Sequence, residues 1–395
     1  MALEYVPASS TAVRTRRREA ADIASFVRGL DWVLIGVVAG LVAYGLWAIA
    51  GITRHDITGN PNYYVVRQGV FVAVGACALI AAVTINPDWY RRRWRPIFIG
   101  TAFVIAIVFV AGPVTRGSKR WLDLGFFRFQ PSEFGKVLFV LALAGFLAER
   151  TKRINEARTT AQVVGLASIP ILLVFLQPDI GTALVYAAAL GAILFVAGTR
   201  WTHLAALAAC VVLAALTVLW IAPAAGVHVL RPYQVQRFTG FVHPNSDPGG
   251  ATYNIVQSKN AIGAGELRGR GPNGATQTTL HFLPEHHTDF VFASLSEERG
   301  FVGASILLGL YLLLIWRGLR IVALAKDAFS AIVAGAIVFA LLFEIFVNVG
   351  MTMGIAPITG IPLPFLSVGG SAMIANLAAV GILLAIQARA RPGRR

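Results

Sequence analysis

Residues 31–53 read DWVLIGVVAGLVAYGLWAIAGIT, and no charged residue follows the first one in that stretch. A helix needs about 20 apolar residues to cross a bilayer, so this stretch predicts a membrane-spanning helix. Comparable stretches recur along the chain, and together they predict an all-α integral membrane protein with about ten transmembrane helices. The predicted spans are roughly 31–53, 63–85, 96–114, 132–148, 162–178, 180–197, 203–223, 290–316, 328–350 and 371–388.

The overall composition supports a single membrane domain. Hydrophobic residues make up 56% of the 395 residues and charged residues 13%, whereas soluble domains carry about 25% charged residues. We expect a polytopic domain at 31–388 between two basic cytoplasmic tails, 1–30 and 389–395. Cys77 and Cys210 lie inside apolar runs, which argues against a disulfide framework or a cysteine metal site.

The formal net charge of +15 has a topological explanation. If the amino terminus is cytoplasmic, 21 of the 34 lysines and arginines fall in segments on the inner side, as the positive-inside rule requires. This pattern predicts that both termini are cytoplasmic. Nucleic-acid binding is not expected, because the basic residues are scattered between spans and no nucleic-acid motif is present.

Thirteen basic residues are left unexplained by topology. Arginine binds phosphate through paired hydrogen bonds, so basic residues above the outer leaflet suit a pyrophosphate headgroup; pairing with lipid phosphates or nearby acids is the alternative. The set comprises Arg54, Arg67, Arg116, Lys119, Arg120, Arg128, Lys136, Arg231, Arg237, Lys259, Arg268, Arg270 and Arg299.

Two segments outside the spans have unusual composition. One long extracytoplasmic loop, 224–289, joins spans seven and eight, and loops of this length are usually functional. The stretch 350–370 is rich in proline and glycine. It predicts a re-entrant or surface-lying segment, because irregular backbone at membrane depth must line a cavity or be buried in protein.

Asp289 is the strongest candidate for chemistry, because it lies where the long loop enters span eight. A partly desolvated carboxylate there can act as a general base; a helix cap beside Thr288 is the alternative. Glu285, His286, His287 and Asp289 could also bind a metal, but the sequence shows no matching distal ligands, so no tight metal site is predicted. A loosely held Mg²⁺ between carboxylate and pyrophosphate stays open.

Other acidic residues lie within or between spans. Glu133 and Lys136 are one helical turn apart, which suits either substrate contact or a structural ion pair. Asp179 lies in the turn between spans five and six, as a helix cap or a substrate contact. Glu344 on span nine is either a partner for a buried base or a side chain that snorkels to the membrane interface, and the sequence leaves both open.

Five motifs in order resemble one family. They are Arg120-Trp121-Leu122 with Gln130-Pro131-Ser132-Glu133, Gln177-Pro178-Asp179-Ile180-Gly181-Thr182, Ala261-Ile262-Gly263, Leu283-Pro284-Glu285 with His287-Thr288-Asp289-Phe290, and Gly360-Ile361-Pro362-Leu363-Pro364-Phe365-Leu366-Ser367. This set resembles the SEDS (shape, elongation, division, sporulation) family over roughly residues 30–390. Thr276-Gln277 and Asn348-Val349-Gly350-Met351 resemble the elongation members more than the division members.

The resemblance implies a peptidoglycan glycosyltransferase of the bacterial cytoplasmic (inner) membrane. It would polymerise lipid II during cell elongation, release undecaprenyl pyrophosphate, and work with a class B penicillin-binding protein as transpeptidase. Asp289 matches the catalytic aspartate. The expected substrate-binding residues are Arg116, Lys119, Arg120, Glu133, Lys136, Asp179, Arg231, Lys259, Thr276, Gln277, His287 and Ser367.

Two other classes of function fit ten spans with intramembrane charges. A lipid II flippase needs a path that is reachable from both leaflets, whereas the unexplained basic residues and the long loop are predicted on one side. A non-catalytic membrane scaffold for a penicillin-binding protein predicts that Asp289 is dispensable.

Overall fold

The computed structural model of the chain describes residues 28–113, 119–123, 125, 127–226, 230, 232–242 and 251–390. Two of the predicted site residues, Arg116 and Arg231, lie outside the described residues, as do most of the amino-terminal tail and residues 391–395.

The described part of the chain is almost entirely helical, with one two-stranded hairpin in which β1 pairs antiparallel with β2. Its elements are α1 (Trp32–Ile52), α2 (Tyr63–Thr84), α3 (Pro87–Arg92), α4 (Trp94–Ala111), β1 (Leu122–Asp123), β2 (Arg128–Phe129), α5 (Pro131–Ala148), α6 (Ala157–Leu176), α7 (Ile180–Val196), α8 (Trp201–Leu216), α9 (Pro232–Val242), α10 (Ala251–Ala264), α11 (Thr276–Thr279), α12 (Val291–Leu324), α13 (Ala328–Met353) and α14 (Gly370–Ala390).

Ten apolar helices form the bundle. Nine helices in the described residues are long and apolar enough to cross a membrane, and α7, with 17 residues, is a shorter apolar helix. All ten overlap the predicted spans, so the prediction of an all-α multi-pass membrane protein is confirmed. The seventh extends beyond α8 through a π-helical turn, Thr217–Ile221, to Ala224.

Aspartates fix the starts of three of these helices. Asp31 accepts a hydrogen bond from the Leu34 amide at 3.1 Å and caps α1. Asp327 caps α13 through the Ser330 amide at 3.0 Å, and Asp179 caps α7. Each carboxylate satisfies one of the amide groups that the first helical turn leaves without a backbone partner.

The helices differ greatly in burial. The carboxy-terminal helix α14 is the most enclosed of the candidate spans, and it packs against α2, α5, α12 and α13. Helix α5 is also mostly buried. In contrast, α8 has no fully buried residue, and only a few of its side chains, such as Leu204 and Leu207, pack against the core. The core of the bundle therefore forms around α5, α13 and α14.

The predicted long loop 224–289 contains three helices, α9, α10 and α11, and part of it is tied into α12. Helix α12 breaks at Gly300, whose φ of +64° suits glycine. Around this break, backbone groups of α12 form hydrogen bonds with the loop instead of within the helix. Phe301 N donates to Glu266 O at 2.8 Å, and Arg270 N donates to Glu297 O at 2.9 Å. These bonds anchor the loop to the bundle.

The segment between α13 and α14 is irregular, as its proline and glycine content predicts. Most of its large apolar side chains are buried, and Leu363 and Leu366 are almost fully enclosed. Two residues of the segment, Gly360 and Pro362, line the cavity described below. Irregular backbone is tolerated inside a membrane protein in such a setting.

Candidate functional site

A cavity of about 540 Å³ opens at one end of the bundle. It is lined by Tyr64, Arg67, Phe71, Arg120, Trp121, Phe127, Arg128, Gln130, Glu133, Asp179, Thr182, Arg237, Glu285, His287, Thr288, Asp289, Gly360, Pro362, Val368, Gly369, Gly370, Ser371 and Ala372. These residues come from the five connections that join spans one to two, three to four, five to six, seven to eight and nine to ten, or from the helix starts beside them. In a bundle of ten consecutive crossings, these five connections share one face.

Asp289 lines this cavity, and its backbone is held from behind. The Asn348 amide donates to the backbone oxygen of Asp289 at 2.9 Å and to that of Ile361 at 2.8 Å. The Ser367 hydroxyl donates to the Thr288 carbonyl at 2.6 Å. Ser367, predicted to contact substrate, is 5% exposed and is placed by the structure behind the segment that carries Asp289.

The helix-capping interpretation of Asp289 does not match the observed helix start. Helix α12 begins at Val291, Phe290 occupies its N-cap position, and the N-cap makes no side-chain hydrogen bond. Asp289 therefore lies one residue before the capping position. Its carboxylate faces the cavity beside Gly360. A Cβ atom added to Gly360 would lie 3.4 Å from Asp289 Oδ2 and 3.6 Å from Arg237 Nη1, so both side chains come close to this glycine.

Four arginines line the same cavity: Arg67, Arg120, Arg128 and Arg237. All four belong to the thirteen basic residues that topology does not explain. Arg120 is also fixed by the turn between α6 and α7. Its guanidinium donates to the carbonyls of Gln177, at 3.3 Å, and Pro178, and lies 3.7 Å from Asp179 Oδ1.

Asp179 caps a helix and also lies in the cavity wall. One carboxylate oxygen accepts from Thr182 N at 3.2 Å and caps α7, and the other accepts from Gln130 Nε2 at 3.3 Å. It also lines the cavity.

Lys136 lies behind the cavity wall, between two carboxylates. Its ammonium group is 2.9 Å from Glu133 Oε2 and also donates to Glu344 Oε1. All three side chains are buried, and of the three only Glu133 is among the lining residues. The structure therefore pairs Glu344 with a buried base, Lys136. The three side chains of Glu133, Lys136 and Glu344 connect α5 to α13.

Several predicted substrate-binding residues lie away from the cavity. Lys119 donates to the Phe109 carbonyl at 3.0 Å, and Lys259 is exposed on α10. Thr276 and Gln277 begin α11, and the backbone N–H of Gln277 donates to Glu297 Oε1 at 2.8 Å. The structure does not bring these four side chains to Asp289.

Some lining residues were not among the predicted substrate-binding residues. Arg67, Arg128 and Arg237 had a signal, since they belong to the unexplained basic residues on the predicted outer side. Tyr64 and Ser371 had none, because an isolated hydroxyl at a helix start is common in any membrane protein.

Comparison with known proteins supports the motif resemblance. The family profile of the FtsW/RodA/SpoVE cell cycle proteins matches residues 28–392. The peptidoglycan glycosyltransferase MrdB of Escherichia coli (strain K12) is 39% identical over 358 residues, which cover 90% of this chain and 93% of that protein.

Two solved structures share the fold. A chain from a peptidoglycan synthase complex that coordinates polymerization and crosslinking superposes with a TM-score of 0.78 at 29% identity, covering 92% of this chain and 99% of that one. The rod shape determining protein RodA of Thermus thermophilus superposes with a TM-score of 0.67 at 26% identity, covering 92% and 98%. The motifs, the ten-helix bundle and these similarities agree, and the chain belongs to the FtsW/RodA/SpoVE family of cell cycle proteins.

Proposed function

We propose that this protein is a peptidoglycan glycosyltransferase that polymerises lipid II into glycan strands during cell elongation and releases undecaprenyl pyrophosphate. The observation that carries the proposal is the cavity in which Asp289 shares the walls with four arginines. The activity named for the Escherichia coli relative supports it.

Two chemical demands of glycosyl transfer match the cavity. The attacking 4-hydroxyl of the acceptor sugar is a poor nucleophile, and a positioned carboxylate can accept its proton. Asp289 is the proposed base. Asn348 fixes its backbone oxygen and Ser367 fixes that of the preceding residue, so the backbone that carries the carboxylate is positioned before substrate arrives.

Negative charge grows on the leaving pyrophosphate during the reaction. Fixed guanidinium groups stabilise such charge and bind phosphate oxygens in pairs. Arg67, Arg120, Arg128 and Arg237 line the cavity and are the groups proposed for this role. Glu133, Asp179 and His287 also line the cavity and complete the proposed substrate contacts.

The cavity also suits a divalent cation such as Mg²⁺. Glu285 and Asp289 both line it, and Mg²⁺ in proteins is usually bound by one or two carboxylates together with substrate phosphates. These two residues would hold the cation, which would neutralise charge on the pyrophosphate.

The proposed partner is a class B penicillin-binding protein that supplies transpeptidation. The similarity to a chain from a synthase complex that couples polymerization with crosslinking supports this assignment. The proposed location is the bacterial inner membrane, with the cavity on the outer side and both termini in the cytoplasm.

The decisive experiment is polymerisation of lipid II by the purified protein, with and without the partner. The partner used in the assay has no glycosyltransferase domain, so any glycan strands that form must come from this protein. We expect such strands to form. A lipid II flippase would instead move lipid II across proteoliposomes without forming strands. The position of the cavity favours the transferase, because all its lining residues belong to one end of the bundle.

Labelling of single cysteines tests the orientation. In a protein with Cys77 and Cys210 replaced by serine, Glu156→Cys should react only with reagents on the cytoplasmic side, and Thr58→Cys only from outside. The basis is the positive-inside rule applied to Arg150, Lys152, Arg153 and Arg158. Outside labelling at position 156 would reverse the model of the topology.

Loss of a cavity arginine should weaken substrate binding. Arg128→Ala removes an exposed guanidinium from the cavity edge, and a lost charge-assisted contact costs about 1.5–3 kcal/mol, or roughly 10- to 150-fold in affinity. Arg120→Ala should have a similar effect, with added loss of support for the α6–α7 turn. Direct lipid II binding measures both.

The matched control is Arg268→Ala, an exposed arginine outside the cavity. Its affinity for lipid II should equal that of the unmodified protein. Equal loss in the control would mean that the effect is general electrostatic attraction rather than a contact inside the cavity.

A further inference from the structure

Three side chains meet outside the cavity in a group with metal-binding character. Asp56 lies in the connection between α1 and α2, and His281 and His286 lie in the segment that leads to Asp289. One ligand atom from each residue lies within 4.8 Å of the others. His286 and Asp56 are 230 residues apart in sequence, so only the fold brings them together.

The buried side chains of two members of this group, Asp56 and His286, are in direct contact. His286 Nε2 lies 3.0 and 3.1 Å from the two carboxylate oxygens of Asp56, and both side chains are largely buried. The His281 ring is exposed, with its centroid 5.3 Å from that of His286. The group therefore has two fixed members and one that can be reached from solvent.

The backbone around the two histidines adopts conformations that side chains usually avoid. His281 has a φ of +56° and Glu285 a φ of +53°. Non-glycine residues in this region are strained, and they persist where the surrounding structure fixes them, often at ligand sites. The left-handed turn at His281 belongs to the same short segment as His286.

We propose that Asp56, His281 and His286 bind a Zn²⁺ ion. Two imidazoles and one carboxylate, with a fourth position open to water, form a donor set that zinc prefers, whereas Mg²⁺ and Ca²⁺ take oxygen ligands. Ligand atoms about 2.0–2.2 Å from a tetrahedral ion lie roughly 3.3–3.6 Å apart. His286 Nε2 and Asp56 Oδ1 are already near this spacing at 3.0 Å, whereas the three ligand atoms together lie within 4.8 Å of one another. A rotation of the exposed His281 ring closes that gap.

The ion would join two parts of the bundle. His286 precedes the proposed base Asp289 by three residues, and its neighbour His287 lies in the cavity wall with its Nδ1 3.7 Å from Asp56 Oδ2. Zinc bound here would tie the connection between α1 and α2 to the segment that ends at Asp289. Its binding does not depend on the proposed glycosyl transfer.

The test is zinc binding by the full chain purified in detergent with a histidine-free tag and stripped with EDTA. Zn²⁺ alone is titrated by calorimetry, and bound zinc is measured after dialysis. We expect about one Zn²⁺ per chain, and affinity at least about tenfold lower in His281→Gln, since even outer-shell changes cost 10- to 100-fold. His281 is exposed, so this variant should fold normally.

His55→Gln is the matched control, because His55 is also exposed and adjoins Asp56 but is not part of the group. It should bind zinc like the unmodified protein. Slower amide exchange over residues 281–290 in the presence of Zn²⁺ would support the link to Asp289. The proposal is overturned if the unmodified protein retains no zinc, or if His281→Gln and His55→Gln bind it equally.

Discussion

Asp289→Asn is expected to polymerise lipid II about a hundred- to ten-thousand-fold more slowly than the unmodified protein, the range that a general base contributes. The variant keeps the size of the side chain but cannot accept a proton at neutral pH. The bond from Asn348 reaches the backbone oxygen of residue 289, so the substitution leaves this support intact. Expression, membrane insertion and partner binding should therefore be normal, and glycan strand length on gels is the measurement.

Asp123→Asn is the control for this loss. Asp123 lies in the hairpin near the same end of the bundle, accepts a hydrogen bond from Gly125 N at 2.9 Å, and does not line the cavity. Its replacement should leave polymerisation nearly unchanged. Rapid polymerisation by Asp289→Asn would refute the base assignment, and Glu133 and Asp179 would become the next acids to test.

Lys136→Met is expected to destabilise the bundle by about 3–5 kcal/mol, because it leaves buried carboxylates without their cation. Glu133 and Glu344 both contact the ammonium group that this change removes, and both are almost fully buried. Methionine roughly preserves the volume, so lost charge pairing is the main effect. Thermal unfolding in detergent measures the change.

Two further variants separate this explanation from substrate binding. Adding Glu344→Gln to Lys136→Met should recover part of the stability, since neighbouring residues in one network are not additive. Lys259→Met, at an exposed position, should stay within about 0.5 kcal/mol. Normal stability of Lys136→Met together with lost lipid II binding would instead show that Lys136 contacts substrate.

The helices could be predicted because membrane insertion depends on a local property of the sequence. An apolar run of sufficient length has few structural alternatives in a bilayer, and every predicted span coincides with an observed helix. The helices within 224–289 were missed for the complementary reason. Helix α10 is mixed in composition and is held by packing against α12 and α13, which no local pattern reports.

The cavity could be predicted in part from charge. Asp289, Arg120 and Asp179 were conspicuous as ionisable residues beside apolar runs, and all three line the cavity. Lys136 was equally conspicuous, but its second partner, Glu344, lies 208 residues away in sequence. Pairings over such distances depend on which helices become neighbours, and hydropathy does not contain that information.

Distance in sequence also hid the supporting residues. Ser367 was predicted to touch substrate, yet its hydroxyl serves the Thr288 carbonyl, 79 residues away. Asp56 was not predicted as a metal ligand, because no residue near it in the sequence indicates a metal site. Motifs identified these segments, and the fold determined which side chains turn toward the cavity.

The enclosed position of α14 has a consequence for biosynthesis. Ribosomes deliver this helix after the other nine spans, yet it packs against α2, α5, α12 and α13 and brings Gly370 and Ser371 to the cavity wall. Until this helix is inserted, the faces of α2, α5, α12 and α13 that it covers have no helix packed against them at that position. A nascent chain stalled before residue 370 would hold Asp289 and all four cavity arginines without the wall that encloses them, so assembly of the cavity is completed only by the last span.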